Sequence, residues 1–166
     1  MEGERNMSNT YNVLEVSQMA INMEKSGHEY YLEAAQKATG AKAKEIFLHL
    51  AGEEKKHIEL FTNLYEILSE TVKFDSNYLF DEITSAYFQY FVNETVFKNK
   101  ELGKVINLDN PKEVLFEGIN AEKNSILFYS EMLKAPNTAE VSNVLNIIID
   151  EEKKHIIQLT DMIKEL

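Results

Sequence analysis

A chain of 166 residues, 44% of them hydrophobic, is long enough to bury one core, and a net charge of −11 with no offsetting basic stretch excludes a nucleic-acid partner. Cysteine is absent, which removes disulfides, zinc ribbons, iron–sulfur ligation and thiol catalysis; any metal must be held by carboxylate, imidazole or water, ligands that suit iron, manganese or zinc. No apolar run reaches the roughly 18 residues of a membrane span, and Met1-Glu2-Gly3-Glu4-Arg5 lacks the regions of a signal peptide, so a cytoplasmic protein is expected.

Two prolines and six glycines leave the chain few places to turn. Residues 1–9 are polar and expected to be disordered or frayed. One domain is expected over residues 10–166. Thr10 is a candidate N-cap for a first helix, along which Val13, Val16, Ala20, Met23, Tyr30, Tyr31, Ala34, Ala35 and Ala38 recur at helical steps. Thr39-Gly40 stops it, with Gly40 suited to the position just past a helix end. A second helix runs from about Ala41 to near Ser69, with Ile46, Phe47, Leu50, Ala51, Ile58, Phe61, Leu64 and Leu68 on its apolar side. So short a link makes residues 10–69 an antiparallel hairpin.

Residues 70–110 form a crossover. Phe74-Asp75-Ser76-Asn77 reads as a turn, and Tyr78 to Phe97 as an aromatic helix, with a strand as the alternative. Gly103 and Asn107-Leu108-Asp109 end it. Asn110-Pro111 is an N-cap followed by a favoured first-turn proline. The third helix extends to about Lys134, Ala135-Pro136-Asn137-Thr138 breaks it, and the fourth runs to near the end through Val141, Val144, Leu145, Ile148, Ile149, Ile156, Leu159 and Ile163. Residues 111–166 are thus a second hairpin. The crossover returns it beside the first, around one core with pseudo-twofold symmetry.

The hairpins share their spelling. Glu53-Glu54-Lys55-Lys56-His57-Ile58 returns as Glu151-Glu152-Lys153-Lys154-His155-Ile156, and Glu24-Lys25 has its counterpart in Glu122-Lys123, always 98 residues on. Glu54 and His57 are three apart and share one helix face, as do Glu152 and His155. Both pairs lie where the apolar stripe should be, and Glu24 and Glu122 lie on the buried sides of their helices. Four buried carboxylates without cations would cost several kcal/mol each. Two divalent ions would neutralise them. Glu54 and Glu152 are expected to bridge the ions, Glu24 and Glu122 to be terminal ligands, and His57 and His155 to serve one ion each, the di-metal carboxylate arrangement of helix bundles. The alternative is a merely duplicated hairpin, its Glu and His solvated or paired with Lys55, Lys56, Lys153 and Lys154.

The stretches Glu24-Lys-Ser-Gly-His-Glu-Tyr-Tyr31, Glu53-Glu54-Lys-Lys-His57, Glu122-Lys-Asn-Ser-Ile-Leu-Phe-Tyr129 and Glu151-Glu152-Lys-Lys-His155 resemble the rubrerythrin-type branch of the ferritin-like superfamily over about residues 12–166. The resemblance implies an all-α, ferritin-like four-helix bundle of two helix hairpins joined by a long crossover containing an extra helix. It implies a centre of two iron ions, with manganese or zinc as substitutes, that reacts with hydrogen peroxide or dioxygen in oxidative-stress defence. Rubrerythrins proper carry a four-cysteine rubredoxin domain; with no cysteine here, electrons would come from an external donor such as a rubredoxin-like protein. They also carry a further glutamate where this chain has Ser125, and the six-ligand set is closer to that of bacterioferritins or erythrin-like proteins. A homodimer is expected. A ferritin-like iron store with ferroxidase activity, or a metal-binding module without turnover, remains as an alternative.

Other residues carry two readings each. Tyr31 and Tyr129, each seven residues after a ligand glutamate, either hydrogen-bond a carboxylate across the bundle, as similar tyrosines do in rubrerythrins, or are core tyrosines with satisfied hydroxyls. Glu53 and Glu151 either accept the second ring N–H of a ligand histidine from a neighbouring helix or are solvated. His28 could reach the site, although its counterpart is Ile126. His49 reads as a satisfied helix histidine. Glu94 is an extra carboxylate or a surface charge. Tyr87, Tyr90, Phe91 and Phe97 read as core or dimer interface.

Overall fold

A computed structural model describes residues 11–72, 80–94, 110–134 and 139–166. These contain five helices and no strand: α1 Val13–Lys37, α2 Ala41–Val72, α3 Glu82–Glu94, α4 Pro111–Met132 and α5 Ala139–Glu165. The helix reading of the aromatic crossover holds. The expected frayed segment 1–9, the turn at Phe74–Asn77, Phe97, Gly103, the stretch 107–109 and the break at 135–138 lie outside the described residues, as does the side chain of Glu94.

Three helix starts have visible causes. Asn12, not Thr10, caps α1: its side chain accepts from the N–H groups of Leu14 and Glu15, and the Glu15 carboxylate accepts from the Asn12 N–H at 2.7 Å. The reciprocal box satisfies more of the free N–H groups of the first turn than a lone threonine two residues earlier could. Asp81 starts α3 later than Tyr78, accepting from the Thr84 N–H at 2.9 Å. Asn110 caps α4 ahead of Pro111, as its sequence suggests. Gly40 does not close α1. That helix ends in an extended Ala38, and the Gly40 carbonyl accepts from Lys44 N–H to begin α2.

α1 packs along α2 and α4 along α5, and the two hairpins close on each other. The crossover helix is tied across the start of α1. Phe80 N–H donates to the Tyr11 carbonyl (2.9 Å), Tyr11 N–H to Ser85 Oγ (3.0 Å), and the Tyr11 hydroxyl to Gln89. Its inner face sets Phe88 and Phe91 against Phe128, whereas Ile83 and Tyr90 stay exposed.

The bundle interior has three layers along its axis. At one end Val16, Ala20, Phe61, Leu64, Phe128, Leu145 and Ile148 form an apolar cluster with α3. At the other, Tyr30, Ala34, Phe47, Leu50, Leu115 and Leu159 form a second. Each helix of the two hairpins contributes to both, and each interposes buried acid or histidine between them: Glu24 on α1, Glu54 and His57 on α2, Glu122 on α4, Glu152 and His155 on α5. Buried charge in mid-bundle is costly unless paired. The fold concentrates that cost in one layer.

Candidate metal centre

The six residues picked out by the repeat meet in this layer, and all are 4% exposed or less. They sort into two groups, Glu24–His57–Glu152 and Glu54–Glu122–His155, each with ligand atoms within 4.8 Å of one another. Each group takes a glutamate and a histidine from one hairpin and a glutamate from the other. Neither Glu54 nor Glu152, the expected bridges, belongs to both groups.

Both imidazoles turn Nδ1 inward. His57 Nδ1 lies 3.2 Å from Glu24 Oε2, 3.2 Å from Glu152 Oε1 and 3.9 Å from Glu54 Oε2. His155 Nδ1 lies 3.0 Å from Glu152 Oε2 and 3.7 Å from Glu122 Oε1. The rings stack with centroids 5.5 Å apart. His57 Nε2 donates outward to Glu151 at 3.0 Å, which orients the ring with Nδ1 toward the carboxylates. Glu53, its counterpart, is instead held by Lys56 at 2.6 Å. Thus the reading of Glu53 and Glu151 as equivalents is corrected. Glu151 reaches the other hairpin's histidine, and Glu53 is bound to its own helix.

Tyr31 donates to Glu122 Oε1 at 2.8 Å, and Tyr129 donates to Glu24. Each tyrosine crosses from α1 to α4 or back. The carboxylate reading of both holds. His28 joins neither group. It donates from Nδ1 to the Ala51 carbonyl at 2.6 Å, bracing α1 on α2. His49 is exposed beside Glu53. The four lysines of the repeated stretch are exposed, and in the described residues Lys56 pairs with Glu53 and Lys153 with Asp150. The duplicated-hairpin alternative therefore fails for Glu54, Glu152, His57 and His155, which are buried away from those lysines.

Without cations the box settles its charge with protons. Burial, and then the carboxylates Glu24 and Glu122, push Glu54 well above the usual carboxylate range; burial and Glu152 do the same to Glu122. Burial opposes charge on His57, but Glu152 and Glu24 outweigh it and push it up to about 11. Burial would also raise Glu152, yet His155 and His57 hold it down at about 2. One contradiction remains in the layer. Glu152 Oε1 is buried with no hydrogen-bond partner although His57 Nδ1 is 3.2 Å away. The single Nδ1 proton is directed to Glu24, and an acceptor left so is what a cation would satisfy. Carboxylate oxygens and imidazole nitrogen, converging without solvent, fit iron, manganese or zinc.

Sequence reasoning did not single out Glu117, a buried acid beside Tyr30, nor two glycines, Gly27 and Gly118, whose neighbours are site groups. Only comparison across the repeat could have exposed the glycines, since their counterparts are Ser125 and Ala20.

A bundle of two hairpins with a carboxylate–histidine box at its centre defines a ferritin-like protein. The rubrerythrin family pattern matches residues 15–163, and the chain belongs to that family, whose members bind a di-iron centre. No curated protein and no solved structure shows a significant match.

Proposed function

We propose that this chain is a non-haem di-iron oxidoreductase that reduces hydrogen peroxide, or dioxygen, with electrons from a separate donor protein. The observation that carries the reading is the pair of interleaved groups, Glu24–His57–Glu152 and Glu54–Glu122–His155, buried between two apolar clusters. Glu24, His57 and Glu152 would hold one ion, and Glu54, Glu122 and His155 the other, with Glu54 and Glu152 shared. Two ferrous ions, when bound, supply one electron each to an O–O bond.

The chain's own residues do the rest. The apolar clusters keep water from the ends of the box. An open cleft between α2 and α5, about 220 Å³ and lined by His49, Glu53, Glu151, Lys154, His155 and Gln158, supplies a polar approach to the His155 side. Peroxide is small and polar enough to use it. Tyr31 and Tyr129 keep Glu122 and Glu24 turned toward the interior, and Glu151 holds His57 in the tautomer that presents Nδ1.

The test is direct. Apo-protein loaded anaerobically with ferrous iron is expected to bind two ions per chain, and peroxide added to it should be consumed with a rise in near-ultraviolet absorbance. A faster response to dioxygen would reassign the oxidant. No change with either would defeat the oxidoreductase reading.

A further inference from the structure

The 98-residue repeat makes the six ligands symmetric, but the helix backbone around them is not. Two glycines inside helices are buried, Gly27 on α1 and Gly118 on α4. A helical glycine is less favourable than alanine, so its presence in a packed layer calls for a local cause. Both causes are site groups. A Cβ on Gly118 would lie 2.9 Å from the Tyr31 hydroxyl, 3.3 Å from Leu159 Cδ1 and 3.5 Å from Tyr31 Cε1. A Cβ on Gly27 would lie 3.1 Å from Glu54 Cδ and 3.3 and 3.4 Å from its carboxylate oxygens. The surface glycines differ: a Cβ at Gly40 or Gly52 meets nothing within 4 Å.

The two glycines act on one half of the box. Gly27 receives Glu54. Gly118 receives the hydroxyl that donates to Glu122 at 2.8 Å. Glu54 and Glu122 belong to the same group, with His155. In the other half the repeat places Ser125 opposite Gly27 and Ala20 opposite Gly118, each with a Cβ. We propose that Gly27 and Gly118 are positioning residues for the Glu54–Glu122–His155 half, and that they make the two ion positions unequal. The backbone comes close enough there to fix Glu54 and, through Tyr31, Glu122. A methyl at Gly118 must shift the Tyr31 hydroxyl, and one at Gly27 must shift the Glu54 carboxylate by a few tenths of an ångström.

The inference rests on the metal-binding reading, and one titration separates the two. Cobalt(II) alone is added to the apo-protein, followed by calorimetry and by its visible absorption bands. Wild type is expected to take up two ions; failure to do so defeats the metal reading itself. Given two, Gly118→Ala is expected to keep one binding event and weaken the other by about tenfold or more, the size usual for a lost ligand-orienting contact, with a change in the visible bands of that ion. Gly27→Ala should weaken the same event. Gly52→Ala should leave both untouched. In a Tyr31→Phe background the atom nearest the new methyl is gone, so adding Gly118→Ala should change binding no further. The double variant also answers the case in which Gly118→Ala alone does not fold. Equal weakening of both events, unchanged binding in both glycine variants, or a Gly118→Ala effect that persists without the Tyr31 hydroxyl would overturn the proposal.

Discussion

Glu54 and Glu152 occupy equivalent places in the repeat but are held in opposite states. Burial and facing carboxylates hold Glu54 toward its neutral form, whereas Glu152 faces the Nδ1 atoms of both histidines and is held toward its ionised form. A neutral amide should therefore replace Glu54 easily in the metal-free protein and Glu152 badly. Glu54→Gln is expected to leave the metal-free thermal midpoint close to wild type while abolishing two-ion binding. Glu152→Gln takes a carboxylate from beside the Nδ1 atoms of both histidines, leaving His57 with Glu24 and Glu151 alone, and is expected to lower the metal-free thermal midpoint. Thermal melts with and without metal check both. The six residues of the box were legible as letters because a repeat of Glu and Glu-x-x-His at one interval puts them on the buried faces of their helices. The different fates of Glu53 and Glu151 were not, because both sit one residue before a ligand on the same helical wheel. Only the offset between α2 and α5 brings Glu151, and not Glu53, to a histidine in hydrogen-bond contact.

At the scale of elements, the helix ends follow the side chain that best satisfies free N–H groups. Asn12 and Glu15 serve each other's backbone, so Asn12→Ala is expected to cost about 1 kcal/mol, read as a lowered urea midpoint with an unchanged slope. Gly52 lies in the exposed middle of α2 with open space around it. Gly52→Ala should raise stability by about 1 kcal/mol in the same assay. The periodic apolar residues announced all five helices, including the aromatic crossover. What sequence reading placed wrongly were boundaries: Thr10 for Asn12, Tyr78 for Asp81 and Gly40 as a stop rather than a start. The errors at Thr10 and Tyr78 have one cause. Several adjacent residues can cap, and the winner is decided by where α1 and α3 must begin to pair through Tyr11, Phe80 and Ser85.

At the scale of the whole molecule, the polar layer couples folding to pH and to metal. The folded metal-free protein holds protons that the unfolded chain releases, on Glu54 and Glu122 above the ordinary carboxylate value of 4.5 and on His57 from 6.5 up to about 11. For His57 that stabilisation is complete below the ordinary value of 6.5 and is lost as pH rises toward about 11. For Glu54 and Glu122 it is complete below 4.5 and declines as pH rises from there through their raised folded values. Glu152 works in the opposite sense, but only in the window from 4.5 down to about 2. The metal-free protein is therefore expected to lose stability as pH rises from about 6.5 to 9, a range in which His57 holds its excess proton. Ions must displace the same protons, so metal affinity should rise over that range. The gap between loaded and metal-free thermal midpoints should widen with pH. A gap that narrows would contradict the protonation states assigned to the box.

Sequence by itself placed Glu24, Glu54, Glu122 and Glu152 on buried faces, though not Glu117, because helical periodicity and an internal repeat are local properties that survive without coordinates. It determined the two hairpins and the six residues of the box for the same reason. Tertiary structure alone decided which glutamate joins which histidine, that Glu151 crosses to His57, that Tyr31 and Tyr129 exchange partners between hairpins, and that Gly27 and Gly118 crowd one half of the box. These depend on the offset and separation of helices remote in sequence, and a shift of one helical turn, about 5.4 Å, would rewrite every one of them.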